Sequence, residues 1–132
     1  PAYEGRLADA MLFPEVTATL QKLQENGVRL VLVTSQQENL VVPLLNKFNI
    51  HHLFGDCAYH TFDKKLVITE IAHRNNVTPS QCSFVGDSPS DIRHAKKAGI
   101  TAIALLGNYI PEELLAGADH QIRSFDEITN LI

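Results

Sequence analysis

The 132-residue sequence has little cysteine, no excess of basic residues and no long hydrophobic run. Its two cysteines are Cys57 and Cys82, and the second lies in an apolar strand-like segment. A disulfide framework is therefore not expected, and a reducing cytoplasm is the expected location. The formal charge of −4 and the lack of a basic run disfavour nucleic acid as a partner. No apolar run reaches membrane-spanning length, so no membrane partner is expected.

The composition indicates an ordinary globular domain but no chemistry. Hydrophobic residues make up 45% and charged residues 20% of the chain, which is typical of a domain with a core of its own. The six histidines lack the spacing of a zinc site, so surface or structural roles are expected for them. Any function must therefore be inferred from local motifs in the sequence.

Apolar periodicity and turn residues predict an alternation of helices and strands. Helices are expected at 14–26, 38–48, 64–75, 89–98, 111–116 and after 124, and strands at 28–34, 53–59, 82–85, 100–105 and 120–122. Pro43 should kink the second helix or delay its start, and Ser124 with Glu127 should form a capping box for the last one. Such alternation indicates an α/β fold with a parallel sheet, in which ligands bind beyond the carboxyl ends of the strands.

The most informative segment is Phe84–Ile92, where a predicted strand turns sharply into a helix. Asp87 and Asp91 are four residues apart, so both carboxylates should face the same space. Clustered acids repel unless a cation lies between them, and oxygen ligands suit a hard ion such as Mg²⁺. Gly86 would let the backbone approach a ligand closely. The alternative is ordinary turn and helix-cap chemistry, and this segment alone does not decide between the two.

A second polar strand end is Thr34-Ser35, after the apolar run Leu30–Val33. A hydroxyl there can donate to a phosphate oxygen, although Thr also ends strands without any such role. Lys64 and Lys65 open a predicted helix, where the helix dipole disfavours a cation. A lysine at this position therefore has two possible explanations: it binds a ligand, or it is simply solvated. We expect the ends at Thr34 and Asp87 to share one site.

In order along the chain, Thr34, Lys64 and Gly86-Asp87-x-x-x-Asp91 resemble the second, third and fourth motifs of the haloacid dehalogenase superfamily of phosphohydrolases. The resemblance covers about residues 12 to 125. It implies that Thr34, Ser35 and Lys64 bind phosphate, that Thr34 and Lys64 are catalytic, and that Asp87 and Asp91 bind Mg²⁺. Whether Lys64 or Lys65 is the motif lysine stays open.

The same resemblance implies a three-layer Rossmann-like core over 14–132, with 1–13 as the tail of a cap or linker helix. One departure matters: residues 1–13 do not contain the family's first motif, Asp-x-Asp-x-Thr, which supplies the nucleophile. The family's central strand, between the strands ending at Thr34 and Asp87, is then also not in this sequence. We expect either a longer protein with that segment upstream, which a start at Pro1 without Met favours, or a short relative without chemistry.

For the complete protein the resemblance implies Mg²⁺-dependent hydrolysis of a small phosphomonoester through an aspartyl-phosphate, similar to phosphoglycolate phosphatase. The partner would be a small phosphorylated metabolite. A phosphomutase of the same superfamily and a non-catalytic binding domain of the same fold are the alternatives. A response-regulator receiver domain also uses acids, Thr and Lys at strand ends, but its acid pair should lie near the chain start, where none is seen. Substrate identity and oligomeric state cannot be read from the sequence.

Overall fold

The computed structural model describes residues 14–107 and 110–132, and these fall into two compact units. The first comprises residues 14–62 and 128–132, and the second comprises Asp63–Glu127. The cap or linker helix predicted for 1–13 lies outside the described residues. No helix of the described part is long and apolar enough to cross a membrane.

The first unit alternates helix and strand. Its elements are α1 (Pro14–Glu25), β1 (Leu30–Val33), α2 (Glu38–Lys47), a 3-10 helix (His51–Leu53) and β2 (Phe54–Ala58). β1 and β2 pair in parallel, with Val33 opposite Ala58. Of β1 only Val33 is buried, and the other three residues are partly exposed.

Helix α1 follows the predicted spacing, because Val16, Leu20 and Leu23 are all buried. The turn that follows its last residue, Glu25, passes through Gly27. The φ of Gly27 is +83°, a conformation that glycine adopts without steric cost. Helix α2 begins at Glu38 and continues through Pro43. Pro43 therefore does not delay its start, although its missing N–H removes one intrahelical hydrogen bond.

The second unit holds a three-stranded parallel sheet in the order β3-β4-β5. Its elements are α3 (Lys64–Arg74), a 3-10 helix (Pro79–Gln81), β3 (Ser83–Gly86), α4 (Pro89–Lys97), β4 (Thr101–Leu105), a 3-10 helix (Glu112–Leu115) and β5 (His120–Ile122). Helices α3 and α4 pack on each other, and their apolar faces join β4 in one core. Its buried residues are Ile68, Ile92, Ala95, Ile100, Ala102, Ala104, Leu106 and Leu115.

Two predicted α-helices are 3-10 helices instead. The segment predicted at 111–116 is Glu112–Leu115, and the last helix is Phe125–Asn130. The first has room for only one turn between Pro111 and Gly117. One turn favours i→i+3 bonds such as that from the Leu114 N–H to the Pro111 carbonyl oxygen, at 3.1 Å. Glu127 Oε2 accepts from the Ser124 N–H at 2.7 Å, which is one half of the predicted capping box.

The three strand pairs among the described residues are parallel, which confirms the α/β class. Within the described residues the pairing forms two ladders, β1-β2 and β3-β4-β5. The two strand ends that carry candidate site residues belong to different ladders: Thr34 follows β1, and Asp87 follows β3.

Candidate functional site

The turn from β3 into α4 is capped by Ser88, whose Oγ accepts from the Asp91 N–H at 3.1 Å. Pro89 follows at the first helical position, where its missing N–H costs nothing. The helix-cap chemistry expected at this turn is therefore present, and Ser88 rather than Asp87 supplies the cap. Asp87 lies half-buried between the strand end and the cap.

Asp91 forms a buried ion pair with Lys64. The distance from Lys64 Nζ to Asp91 Oδ1 is 2.5 Å, and the side chains are 9% and 4% exposed. Removing Lys64 would leave the Asp91 carboxylate buried without this cation, which is strongly destabilising in a protein interior. The two residues come from the first turns of α3 and α4, and the pair therefore joins two helix N-termini.

The structure distinguishes the two candidate lysines. Lys64 is the first residue of α3 and is 7% exposed, whereas Lys65 is exposed. Asp63 caps this helix by accepting from the Leu66 N–H at 3.2 Å, which fixes the direction in which the first turn begins. The geometry thus favours Lys64 as the lysine that meets the acidic turn.

Gly86 permits this close packing. A Cβ at Gly86 would lie 2.5 Å from Asp91 Cβ and 3.0 Å from Asp91 Oδ2. Real Cβ atoms do not approach so closely, and the neighbour here is fixed by its ion pair. The sequence predicts that Gly86 lets a ligand approach the backbone, and in the structure the Asp91 side chain is a group that does so.

In the first unit, Thr34 is fully buried beyond the end of β1. Its Oγ1 accepts from the Gln36 N–H at 3.1 Å, and its carbonyl oxygen accepts from the Thr61 N–H at 2.9 Å. The hydroxyl accepts in this bond, so its proton can serve as a donor to another group. Ser35, the other predicted phosphate-binding residue of this end, is half-buried.

Sequence reasoning missed the loop that fastens Thr34 in place. Gln36 and Thr61 are both 7% exposed although polar, and the Gln36 carbonyl accepts from the His60 N–H at 2.8 Å. His60 takes a left-handed φ of +53° to make this turn. Beside it, burial and the neighbouring Cys57 and Glu38 raise the pKa of the Tyr59 phenol. No local pattern in the sequence marks these residues as partners of Thr34.

The structure therefore brings together Lys64, Gly86 and Asp91, with Asp87 directly after Gly86 in the chain. Thr34 and Ser35 belong to the other unit, so a site shared with the acidic turn stays a prediction. Within residues 14–107 and 110–132, no group of three or more His, Cys, Asp or Glu side chains is arranged to hold a metal ion. Any metal at the turn would take further ligands from elsewhere.

Comparison with known proteins agrees with the motif order. The family model of haloacid dehalogenase-like hydrolases matches residues 2–105. The chain belongs to this family. A phosphoglycolate phosphatase from Salmonella typhi is 33% identical over an alignment that covers 98% of this chain and 54% of that protein. A phosphoglycolate phosphatase from Escherichia coli K12 is 36% identical over 81% of this chain and 45% of that protein.

Solved structures of the family share this fold. A predicted phosphoglycolate phosphatase from Haemophilus somnus superimposes with a TM-score of 0.82 at 27% identity, over 90% of this chain and 56% of that one. A structure assigned as a β-phosphoglucomutase from Thermotoga maritima reaches a TM-score of 0.78 at 22% identity over 90% of this chain and 58% of that one, a likeness in fold alone. The chain spans about half the length of the curated relatives it matches.

Proposed function

We propose that this chain supplies the phosphate-binding and metal-binding part of a Mg²⁺-dependent phosphatase that hydrolyses a small phosphomonoester of the phosphoglycolate class in the cytoplasm. The observation that carries the proposal is the buried Lys64–Asp91 pair, which involves the first turn of the helix that follows Asp87 in the chain. A buried lysine in this position gives a fixed positive charge next to acidic oxygen ligands, which is the combination that a phosphate ester and a divalent cation require together. The phosphoglycolate phosphatases among the relatives support the substrate class.

Each residue has a distinct role in this proposal. Lys64 neutralises charge on the transferring phosphoryl group and holds the attacking carboxylate. Thr34 donates its hydroxyl proton to a phosphoryl oxygen, with Ser35 beside it. Asp87 is the direct metal ligand. Because Asp91 Oδ1 already accepts from Lys64 Nζ, Asp91 chiefly orients that lysine and assists at the metal through its other oxygen.

The acidic turn fits Mg²⁺ in its donor chemistry. Mg²⁺ is usually held by one or two carboxylates together with water and substrate phosphate oxygens, and Asp87 and Asp91 are two such carboxylates. When bound, the ion would offset the negative charge that the phosphoryl group and the carboxylates bring together. Residues of this chain would hold the ion and the ester in fixed positions relative to Lys64.

The proposed reaction needs a nucleophile that residues 1–132 do not supply. No Asp-x-Asp-x-Thr occurs in the sequence, and in-line attack on phosphorus needs a carboxylate placed opposite the leaving group. In the proposed reaction that carboxylate forms an aspartyl-phosphate, which water then hydrolyses. A segment carrying the first motif, supplied upstream or as a separate peptide, would complete the site.

The deciding experiment compares Asp87→Asn with Asp91→Asn in the protein that includes a first-motif segment. Mg²⁺ binding by titration calorimetry should weaken more for Asp87→Asn, since it removes the direct ligand. Hydrolysis of phosphoglycolate should fall in both variants, while the exposed Glu113→Gln serves as the matched control and stays near wild type. Equal or reversed effects on Mg²⁺ binding would refute the assigned roles.

A non-catalytic binding domain of the same fold is the second candidate, favoured by the lack of a first motif in these 132 residues. It predicts that Mg²⁺ and phosphate bind but that no turnover appears after a first-motif segment is supplied. The same titration and turnover measurements therefore separate the two candidates. A phosphomutase would instead transfer phosphate between positions of a sugar phosphate, which product analysis detects.

A further inference from the structure

We propose that Phe84 is a positioning residue whose ring holds the Lys64 ammonium group against Asp91. This inference rests on the proposed function, in which Lys64 is the cation that meets the phosphoryl group. Lys64 Nζ lies 5.9 Å from the centre of the Phe84 ring, and a cation within about 6 Å of an aromatic centroid is attracted by the negative ring face. The Lys64 side chain is only 9% exposed, so water screens this attraction little.

The strand geometry places Phe84 where this role requires it. Side chains alternate along β3, so Phe84 and Gly86 point to the same face of the sheet. That face meets Asp91, because a Cβ on Gly86 would collide with the Asp91 side chain. Phe84 also packs against the core cluster that contains Ile68, one helical turn beyond Lys64 on α3. Lys64 is thus bounded by the ring on one side and by the carboxylate on another.

Such support has a physical reason. A lysine ammonium sits on a flexible four-carbon stem with three rotatable donors, so each additional contact narrows the positions that the side chain can take. The ring of Phe84 restricts the stem from a second direction without competing for a hydrogen bond. Leucine would fill a similar volume but lacks the negative ring face, and tyrosine keeps that face.

The test keeps the shape of the ring and changes its charge distribution. Phe84 is replaced in the 132-residue chain by phenylalanines carrying one, three and five fluorine atoms, which progressively reduce the negative charge of the ring face. The folding equilibrium constant, measured by urea unfolding, should fall stepwise by about three- to tenfold over the series. The same series at Phe54, a half-buried strand residue with no described cation contact, should leave it nearly constant.

A second measurement reads the position of Lys64 directly. In lysine-labelled protein the Lys64 ε-methylene protons should show an upfield ring-current shift, assigned by its loss in Lys64→Met. Phe84→Leu should move this signal to the position of the exposed Lys65 signal, and Phe84→Tyr should preserve it. A flat fluorine series, or a Lys64 signal that Phe84→Leu does not move, would show that Phe84 only fills space. Neither measurement uses turnover, so this outcome leaves the proposed function untouched.

Discussion

At the scale of single residues, the different exposure of Lys64 and Lys65 predicts that the same substitution lowers the free energy of unfolding strongly at one position and hardly at the other. Lys64→Met leaves the buried Asp91 carboxylate without its cation and should lower the free energy of unfolding by about 3–5 kcal/mol. Lys65→Met changes an exposed side chain and should alter it by less than about 0.5 kcal/mol. Urea unfolding of both variants measures the difference. Equal losses would mean that the ion pair is not formed in solution.

Gly86 supports a second prediction at this scale. Gly86→Ala places a Cβ 2.5 Å from Asp91 Cβ, and the helix must shift or the ion pair must open. The expected loss of stability is about 1–3 kcal/mol. Gly117→Ala is the matched control, because nothing lies within 4 Å of its added Cβ. Thermal unfolding of the two variants tests this, and a neutral Gly86→Ala would contradict the close contact.

The residue-level chemistry was predictable in part. Four of the five candidate site residues follow a strand or open a helix as expected: Thr34, Ser35, Lys64 and Asp87. The order of the motifs predicts that Lys64 lies near Asp91, but not that the two form a direct ion pair. That pair joins residues 27 positions apart, and no sequence pattern specifies the packing of α3 on α4. The choice between Lys64 and Lys65 depends on that same packing.

At the scale of elements, Asp119 fastens the start of β4. Its Oδ2 accepts from the Ala102 N–H at 2.8 Å, and its Oδ1 pairs with Lys96 at 2.7 Å. The bond from the Ala102 N–H and the bond from Lys96 lower the pKa of the Asp119 carboxyl. A lowered pKa in the folded state means that the ionised group stabilises the fold above its ordinary pKa and ceases to do so as the pH falls.

Asp119→Asn should therefore be less stable than wild type at neutral pH. The difference should shrink as the pH falls below about 4, the ordinary range for an aspartate, because wild-type Asp119 then takes up its proton. Chemical unfolding at several pH values measures the difference in the free energy of unfolding between wild type and Asp119→Asn. Glu113→Gln, at an exposed acidic residue, is the control. A difference that is independent of pH would mean that the charge of Asp119 contributes nothing to the stability of β4.

The helix and strand pattern was mostly predictable because it is local. The buried stripe of α1 follows its 3.6-residue period, and the turns after α1 and α4 use Gly27 and Gly99 at positive φ. The 3-10 form of Glu112–Leu115 was not predictable, since its apolar Leu115 would also suit an α-helical turn. The 3-10 form is set by the short distance between the elements that flank this segment, and the sequence does not show that distance.

At the scale of the whole molecule, the 132-residue chain alone should not hydrolyse an aryl phosphate with Mg²⁺. Its sequence has no Asp-x-Asp-x-Thr, and Asp9, Asp56 and Asp63 lack that context. A carboxylate out of line with the phosphorus cannot replace the nucleophile. Release of aryl alcohol measures turnover, and adding a first-motif segment should produce it. Robust activity of the chain alone, abolished by Asp87→Ala, would overturn the argument.

The contact between Gly86 and Asp91 also constrains which substitutions can be accepted. An alanine at position 86 meets the Asp91 Cβ itself, so alanine at position 91 would leave the clash in place, and glycine there would remove the carboxylate that pairs with Lys64. Alanine at 86 therefore brings either a loss of stability of about 1–3 kcal/mol or the loss of the ion pair. Positions 64, 86 and 91 are thus expected to change together.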